Sequence, residues 1–143
     1  MNTNLDFCLA LHRANASLQL KLDHELGLYH GVSFNDFVLL NLLAQADDGR
    51  GSIPELARPL GQPQSSVLRQ LILLEKIGLV VREGANGDRQ AVLRPAGRAL
   101  VNAARETADS ICTEAAASIA PAAVAMVSEA LVKLARTPTS ALS

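Results

Sequence analysis

Between Ser52 and Gly78 the chain has to fit two helices and the turn that joins them, and its punctuation leaves little freedom in how this is done. Ser52-Ile53-Pro54-Glu55 is a capping box with a proline in the first turn, where a missing N–H costs little. The helix it opens runs through Leu56, Ala57 and Leu60 and stops at Gly61. Gln62-Pro63 then restarts the chain, with Pro63 expected at the first helical position. In this second helix Val67, Leu71, Leu74 and Gly78 recur at spacings of four, three and four, so one face packs inward. Gln64, Ser65, Ser66, Arg69 and Gln70 are left largely on other faces, free to touch something.

After Gly78 the texture changes. Leu79-Val80-Val81-Arg82 is β-branched and strand-like, Asn86-Gly87 supplies a hairpin turn, and Ala91-Val92-Leu93 gives a short return strand closed by Pro95. Arg82, Asp88, Arg89 and Arg94 decorate this two-stranded ribbon with mostly positive charge. A short helix, a tight turn, a polar-faced second helix and a basic hairpin make a winged helix-turn-helix. In that architecture the second helix fits the DNA major groove and the wing reaches along the backbone or minor groove. Gln64, Ser65 and Ser66 can donate to phosphates or read base edges, Arg69 can do either, and the helix N-terminus favours an anion.

Charge agrees with this placement. Thirteen basic against fourteen acidic residues give a net charge of -1, which argues against non-specific coating of nucleic acid. Between Gly49 and Arg98, however, eight basic residues face four acidic ones, so a positive centre lies between negative ends.

The flanks read as helices. From about Asn4 to Leu28, Leu11, Leu18, Leu22 and Leu26 share one face, which Phe7, Cys8, Leu9, Leu20 and Leu28 widen beyond what one neighbour would cover. Ser33-Phe34-Asn35-Asp36 resembles a capping box and opens a helix apolar nearly all round, as expected at the middle of a small domain; Asp47-Asp48-Gly49-Arg50-Gly51 ends it. From Ala96 a helix places Leu100, Ala104, Thr107 and Ile111 on one face, and Pro121 separates it from a last helix carrying Val124, Val127, Leu131 and Leu134. Both are rich in alanine, bury little apolar area each, and are expected to pack against other helices or a second subunit. The fold class is therefore mainly α with a small β-wing.

Other classes are poorly served. No uninterrupted apolar stretch approaches the roughly 18 residues of a membrane span, and Met1 to Asp6 carry no positive segment leading into an apolar one, so a cytoplasmic location is expected. Cys8 and Cys112 lack Cys-x-x-Cys spacing, and neither a metal nor a cofactor is expected. With three histidines confined to the N-terminal part, no Gly-x-Ser-x-Gly, no phosphate loop and no His-Glu-x-x-His, catalysis is not expected either.

The sequence resembles the MarR family of bacterial transcriptional regulators over nearly its whole length. Ile53 to Gly61 resembles the first helix of the family's motif, and Ser65 to Leu71 with Leu74 to Val80 resembles its recognition helix and exit into the wing. Asp88-Arg89 matches the wing-tip signature, and Leu93 with Ala96-Gly97-Arg98 matches the return into the long C-terminal helix. Leu68 stands where the family commonly has a polar residue, Arg94-Pro95 replaces the usual threonine and its neighbour, and the stretch from Asp88 to Leu93 is shorter than usual. The resemblance implies a homodimer on double-stranded DNA, with residues 1–32 and 96–143 forming dimerisation helices and residues 33–95 the winged lobe. Its two recognition helices would lie about 34 Å apart on a pseudo-palindromic operator. Arg89 would enter the minor groove, oriented by Asp88, and the regulator would be a ligand-responsive repressor.

The resemblance also implies a small aromatic or phenolic effector bound between the dimerisation helices and the lobe. His12 and Arg13 on the first helix, with Tyr29 and His30 at the following corner, are the candidate contacts. Phe7-Cys8-Leu9-Ala10-Leu11-His12 is similar to the segment around the reactive cysteine of peroxide-sensing members, although His12 stands in place of the usual tyrosine. A buried free cysteine is the expected outcome for Cys8, with thiol-based sensing as the alternative. A winged-helix module that binds protein instead of DNA is a further alternative.

Overall fold

Local signals set most element boundaries, as a computed structural model of the chain shows; it describes residues 2–85 and 88–136. Helix α1 (Thr3–His30) ends at Gly31 in the left-handed conformation, and α2 (Phe34–Gln45) opens on a complete capping box in which Ser33 and Asp36 exchange hydrogen bonds. A second complete box, Ser52 with Glu55, opens α3 (Ile53–Leu60). Such a cap is worth about 1 kcal/mol to a helix. Gly61 closes α3 with φ of 63°, a conformation that costs glycine nothing, and α4 (Gln64–Lys76) follows at once with Pro63 as its N-cap. Pro63 thus sits one position before the helix proper. Helices α5 (Pro95–Ala115) and α6 (Pro121–Ala135) complete the chain, each with its proline at the first position.

The wing differs from the expected two-stranded ribbon. Strands β2 (Val80–Glu83) and β3 (Gln90–Leu93) pair antiparallel, and Arg50–Ser52 forms an additional strand, β1, on the far side of β3. In the register Arg50 faces Val92 and Ser52 faces Gln90. The segment expected only to end α2 therefore also closes a sheet edge, and Gly49 joins it by accepting a hydrogen bond from the Leu93 N–H at 2.8 Å. The expected hairpin turn, Asn86-Gly87, lies outside the described residues.

Helix α2 meets α1, α3, α5, β1 and β3, which is why its sequence is apolar nearly all round. Leu39, Leu40 and Leu43 are completely buried there, against Leu22 and Leu26 of α1 and Val67 and Leu71 of α4. On α5 the buried face runs through Gly97, Val101, Ala104 and Ala108, with Leu100 and Ile111 only at its margin. The face expected from Leu100, Ala104, Thr107 and Ile111 is thus rotated toward the smallest side chains, which let α5 approach its neighbours closely. Two polar ties fix the helices around this core. The Phe34 N–H donates to Asp23 Oδ1 at 2.7 Å, and His30 Nε2 lies 2.8 Å from Thr107 Oγ1, joining α1 to α5. Arg105 of α5 also bonds Asn41 of α2.

Helix α6 is the exception. None of its residues is buried, and Val124, Met126, Val127 and Leu134 are all exposed in the single chain. No helix among the described residues is long and apolar enough to cross a membrane.

Candidate nucleic-acid interface

Helix α4 buries Val67, Leu71 and Leu74, so the rest of its circumference is available for other contacts. Gln64, Ser65 and Arg69 are exposed, and Ser66 is half-buried. Among the described residues the ion pairs are Arg50 with Asp48 at 3.5 Å, Arg50 with Glu83 at 3.4 Å and Arg82 with Glu75 at 3.1 Å. Arg58, Arg69 and Arg89 take no part in them, so among the described residues their charge is available to an anion.

Two of the residues read as contacts are engaged internally. Gln70 Nε2 donates to Asp36 Oδ1 at 3.0 Å, while the other oxygen of the same carboxylate accepts from the Ser33 N–H at 3.2 Å. Asp36 thus fastens α4 to the start of α2, and Gln70 sets the pose of the helix. Arg82 is clamped by Glu75, whose oxygens accept from its backbone N–H at 3.0 Å and its Nε at 3.1 Å. The backbone hydrogen bond is the chief cause that holds the Glu75 carboxyl below its ordinary range, and the Arg82 side chain adds to it. A lowered carboxyl contributes its stability fully above the ordinary carboxylate pKa and loses it as the pH falls through the folded value, so the clamp is intact at neutral pH. Its effect is to lock the end of α4 to the base of the wing. These partners lie too far along the chain for the local pattern to show them.

The wing carries Asp88 and Arg89 exposed beyond β2. Between wing and α4 lies a groove of about 260 Å³ lined by Ile53, Leu68, Leu71, Arg82, Arg89 and Gln90. Arg89 lines this groove, whereas Arg69 lines a separate open depression of α4 with Ser66, Gln70, Ile72 and Leu73. Leu68 and Gln90 belong to the groove and Leu73, which is 62% exposed, to the depression beside Arg69, although charge points to none of them. Helical periodicity places Leu68 and Leu73 off the buried face, and for Leu68 the family resemblance, which commonly has a polar residue there, is a second signal.

The proposed effector contacts are not brought together within one chain. His12 and Arg13 are exposed, Tyr29 is 67% exposed, and Tyr29 follows His12 by seventeen positions along one continuous helix. At 1.5 Å per residue that is about 25 Å. His30 is occupied by Thr107. A cavity of about 650 Å³ lies instead between α1 and α5, lined by Leu20, Lys21, His24, Glu25, Ile111 and Glu114. Cys8 is exposed in the single chain and not buried as expected. The other cysteine, Cys112, has its thiol pushed up by partial burial and, to a lesser degree, by the Asp109 carboxylate, which keeps it protonated and weakly nucleophilic.

A family model described as the IclR helix-turn-helix domain matches residues 37–84, from α2 through β2. No curated protein matches the sequence. Solved structures match the whole architecture. Sco3205, a MarR family transcriptional regulator from Streptomyces coelicolor determined in complex with DNA, is 21% identical, with a TM-score of 0.86 over 97% of this chain and 91% of that one. A MarR family regulator from Rhodococcus sp. RHA1 is 20% identical, with a TM-score of 0.86 over 94% of this chain and 97% of that one. CouR from Rhodococcus jostii RHA1, bound to p-coumaroyl-CoA, is 21% identical, with a TM-score of 0.83 over 93% of each chain. The segment matched by the IclR model is the helix-turn-helix with its first wing strand, whereas the solved structures also cover the flanking helices. From α1 to α6, the chain has the winged helix-turn-helix fold of MarR family transcriptional regulators.

Proposed function

We propose that this protein is a sequence-specific, DNA-binding transcriptional regulator, without enzymatic activity, that acts as a homodimer on a pseudo-palindromic operator. The observation that carries the reading is the surface of α4 and the wing, where Arg69 and Arg89 stand exposed and outside the ion pairs found among the described residues, while Asp36 and Glu75 hold the scaffold behind them. Gln64, Ser65 and Ser66 supply further donors at the N-terminal end of α4, where the helix dipole favours phosphate. The fold shared with Sco3205, which was crystallised on DNA, supports the same orientation.

Dimerisation follows from α6. A helix of 15 residues with none of them buried is marginal in water by itself, and its apolar residues gain their burial from a partner. Leu5, Phe7 and Leu9 at the start of α1 are exposed in the same way. In this reading residues 1–32 and 96–143 build the dimer, and residues 33–95 bind DNA. The effector is a small aromatic or phenolic molecule, a class consistent with the ligand in the CouR structure, and its release of DNA makes the protein a repressor.

Arg89→Ala is expected to weaken binding about equally across sequences and to lower the dependence of log K on log salt by about one unit for each phosphate that the dimer no longer neutralises. Arg69→Ala should in addition change which duplexes are preferred. Titration of labelled duplexes at several salt concentrations measures both; parent-like binding by both variants would refute the assignment of this face.

A further inference from the structure

Opposite its buried face, α4 is not simply polar. At about 100° per residue, the positions farthest from Val67, Leu71 and Leu74 are Ser65, Arg69, Ile72, Leu73 and Lys76. Leu73 is 62% exposed, and Ile77, one turn further, is 60% exposed. Leu73 and Ile72 line an open depression of about 530 Å³ together with Ser66, Arg69 and Gln70. Leu73 lies four residues after Arg69 and therefore directly above it on the helix surface. Whatever accepts the Arg69 guanidinium is within reach of the Leu73 methyl groups. The partner of this face is thus anionic with apolar spots at helical spacing.

We infer that Leu73 is a specificity-determining residue that reads thymine C5-methyl groups in the major groove, beside the Arg69 contact. Thymine is the base that offers an apolar group on that groove's floor, and aliphatic side chains contact it there. Cation and aliphatic on one turn of α4 fit a phosphate or guanine beside a thymine, so the half-site contains thymine at the position over Leu73. This rests on the reading of α4 as the recognition helix and adds to it the chemistry of the base that is read.

The test uses the full-length protein and duplexes that it enriches from a random-sequence pool, resynthesised with deoxyuridine replacing thymidine one position at a time. Deoxyuridine removes only the methyl group. One position in each half-site is expected to weaken binding about fourfold per methyl, the effect of exposing one methyl-sized group. Leu73→Ala, at an exposed helical position where alanine is well tolerated, should bind the thymidine duplex more weakly and no longer distinguish it from the deoxyuridine duplex. Leu73→Gln should show the same loss of discrimination and separates it from any effect of side-chain size. Equal binding of both duplexes by the parent protein, or full discrimination retained by Leu73→Ala, overturns the inference while leaving DNA binding in place. A change of oligomeric state in Leu73→Ala with discrimination intact overturns it in favour of a protein contact on this face. Retention of no duplex at low ionic strength overturns the regulator reading itself.

Discussion

Gly97→Ala should destabilise the chain by roughly 3 kcal/mol, a large fraction of what holds a domain of this size together. Gly97 is the third residue of α5 and is buried where that helix starts against the sheet. A Cβ built there would stand 2.3 Å from the Leu79 carbonyl oxygen and 2.7 Å from Leu93 Cδ1. The Leu79 oxygen has no freedom to retreat, because it accepts the Arg94 N–H at 3.0 Å and so ties the entry into β2 to the start of α5. Relieving the clash means displacing backbone and weakening that hydrogen bond, which adds the cost of an unpaired buried group to that of overpacking. Gly27→Ala is the matched control. It lies in α1 with no atom within 4 Å of the added Cβ and should be neutral or stabilising by about 0.5 kcal/mol. Urea unfolding at one fixed protein concentration compares the two; a Gly97→Ala midpoint equal to the parent's at unchanged slope would refute the packing described for α5.

The second large effect concerns α6. Val127 is 49% exposed in the single chain, so Val127→Asp should scarcely disturb a monomer. Within a dimer held by this helix, the same substitution buries an unpaired carboxylate among apolar side chains, at a cost of several kcal/mol. The dimer dissociation constant is expected to rise by at least about 100-fold, equivalent to about 2.7 kcal/mol. Because a dimer holds its operator through two linked recognition helices, DNA affinity should fall by a comparable factor although no DNA contact has changed. Sedimentation equilibrium and duplex titration report the two losses independently. An intact dimer with parent-like DNA affinity would show that α6 is not the interface.

Local chemistry makes much of this fold readable. The two capping boxes at Ser33 and Ser52, the left-handed Gly61 and the prolines that open α5 and α6 act within a few residues of themselves, and the chain obeys them. The features that local pattern does not disclose depend on partners distant in sequence. Arg50–Ser52 looks like the tail of a turn because its strand character comes from pairing with Gln90–Val92, some forty residues on. Periodicity misplaces the buried face of α5 by one position because Gly97, Ala104 and Ala108 give almost no hydrophobic contrast, whereas Leu100 and Ile111 at its margin do. The candidate site shows the same division. Arg69 and Arg89 stand out from pattern and charge, but that Gln70 belongs to Asp36 and Arg82 to Glu75 emerges only when α2, α4 and the wing are assembled.

The measurement that bears most directly on the reading as a whole is enrichment of random-sequence duplexes by the full-length protein, followed by footprinting of the enriched sites. Two α4 helices related by a dimer axis should select inverted half-sites whose centres lie about 10 base pairs apart, with affinity falling steeply as salt is raised. Enrichment of single, unpaired half-sites, or no retention of duplex even at low ionic strength, would contradict it.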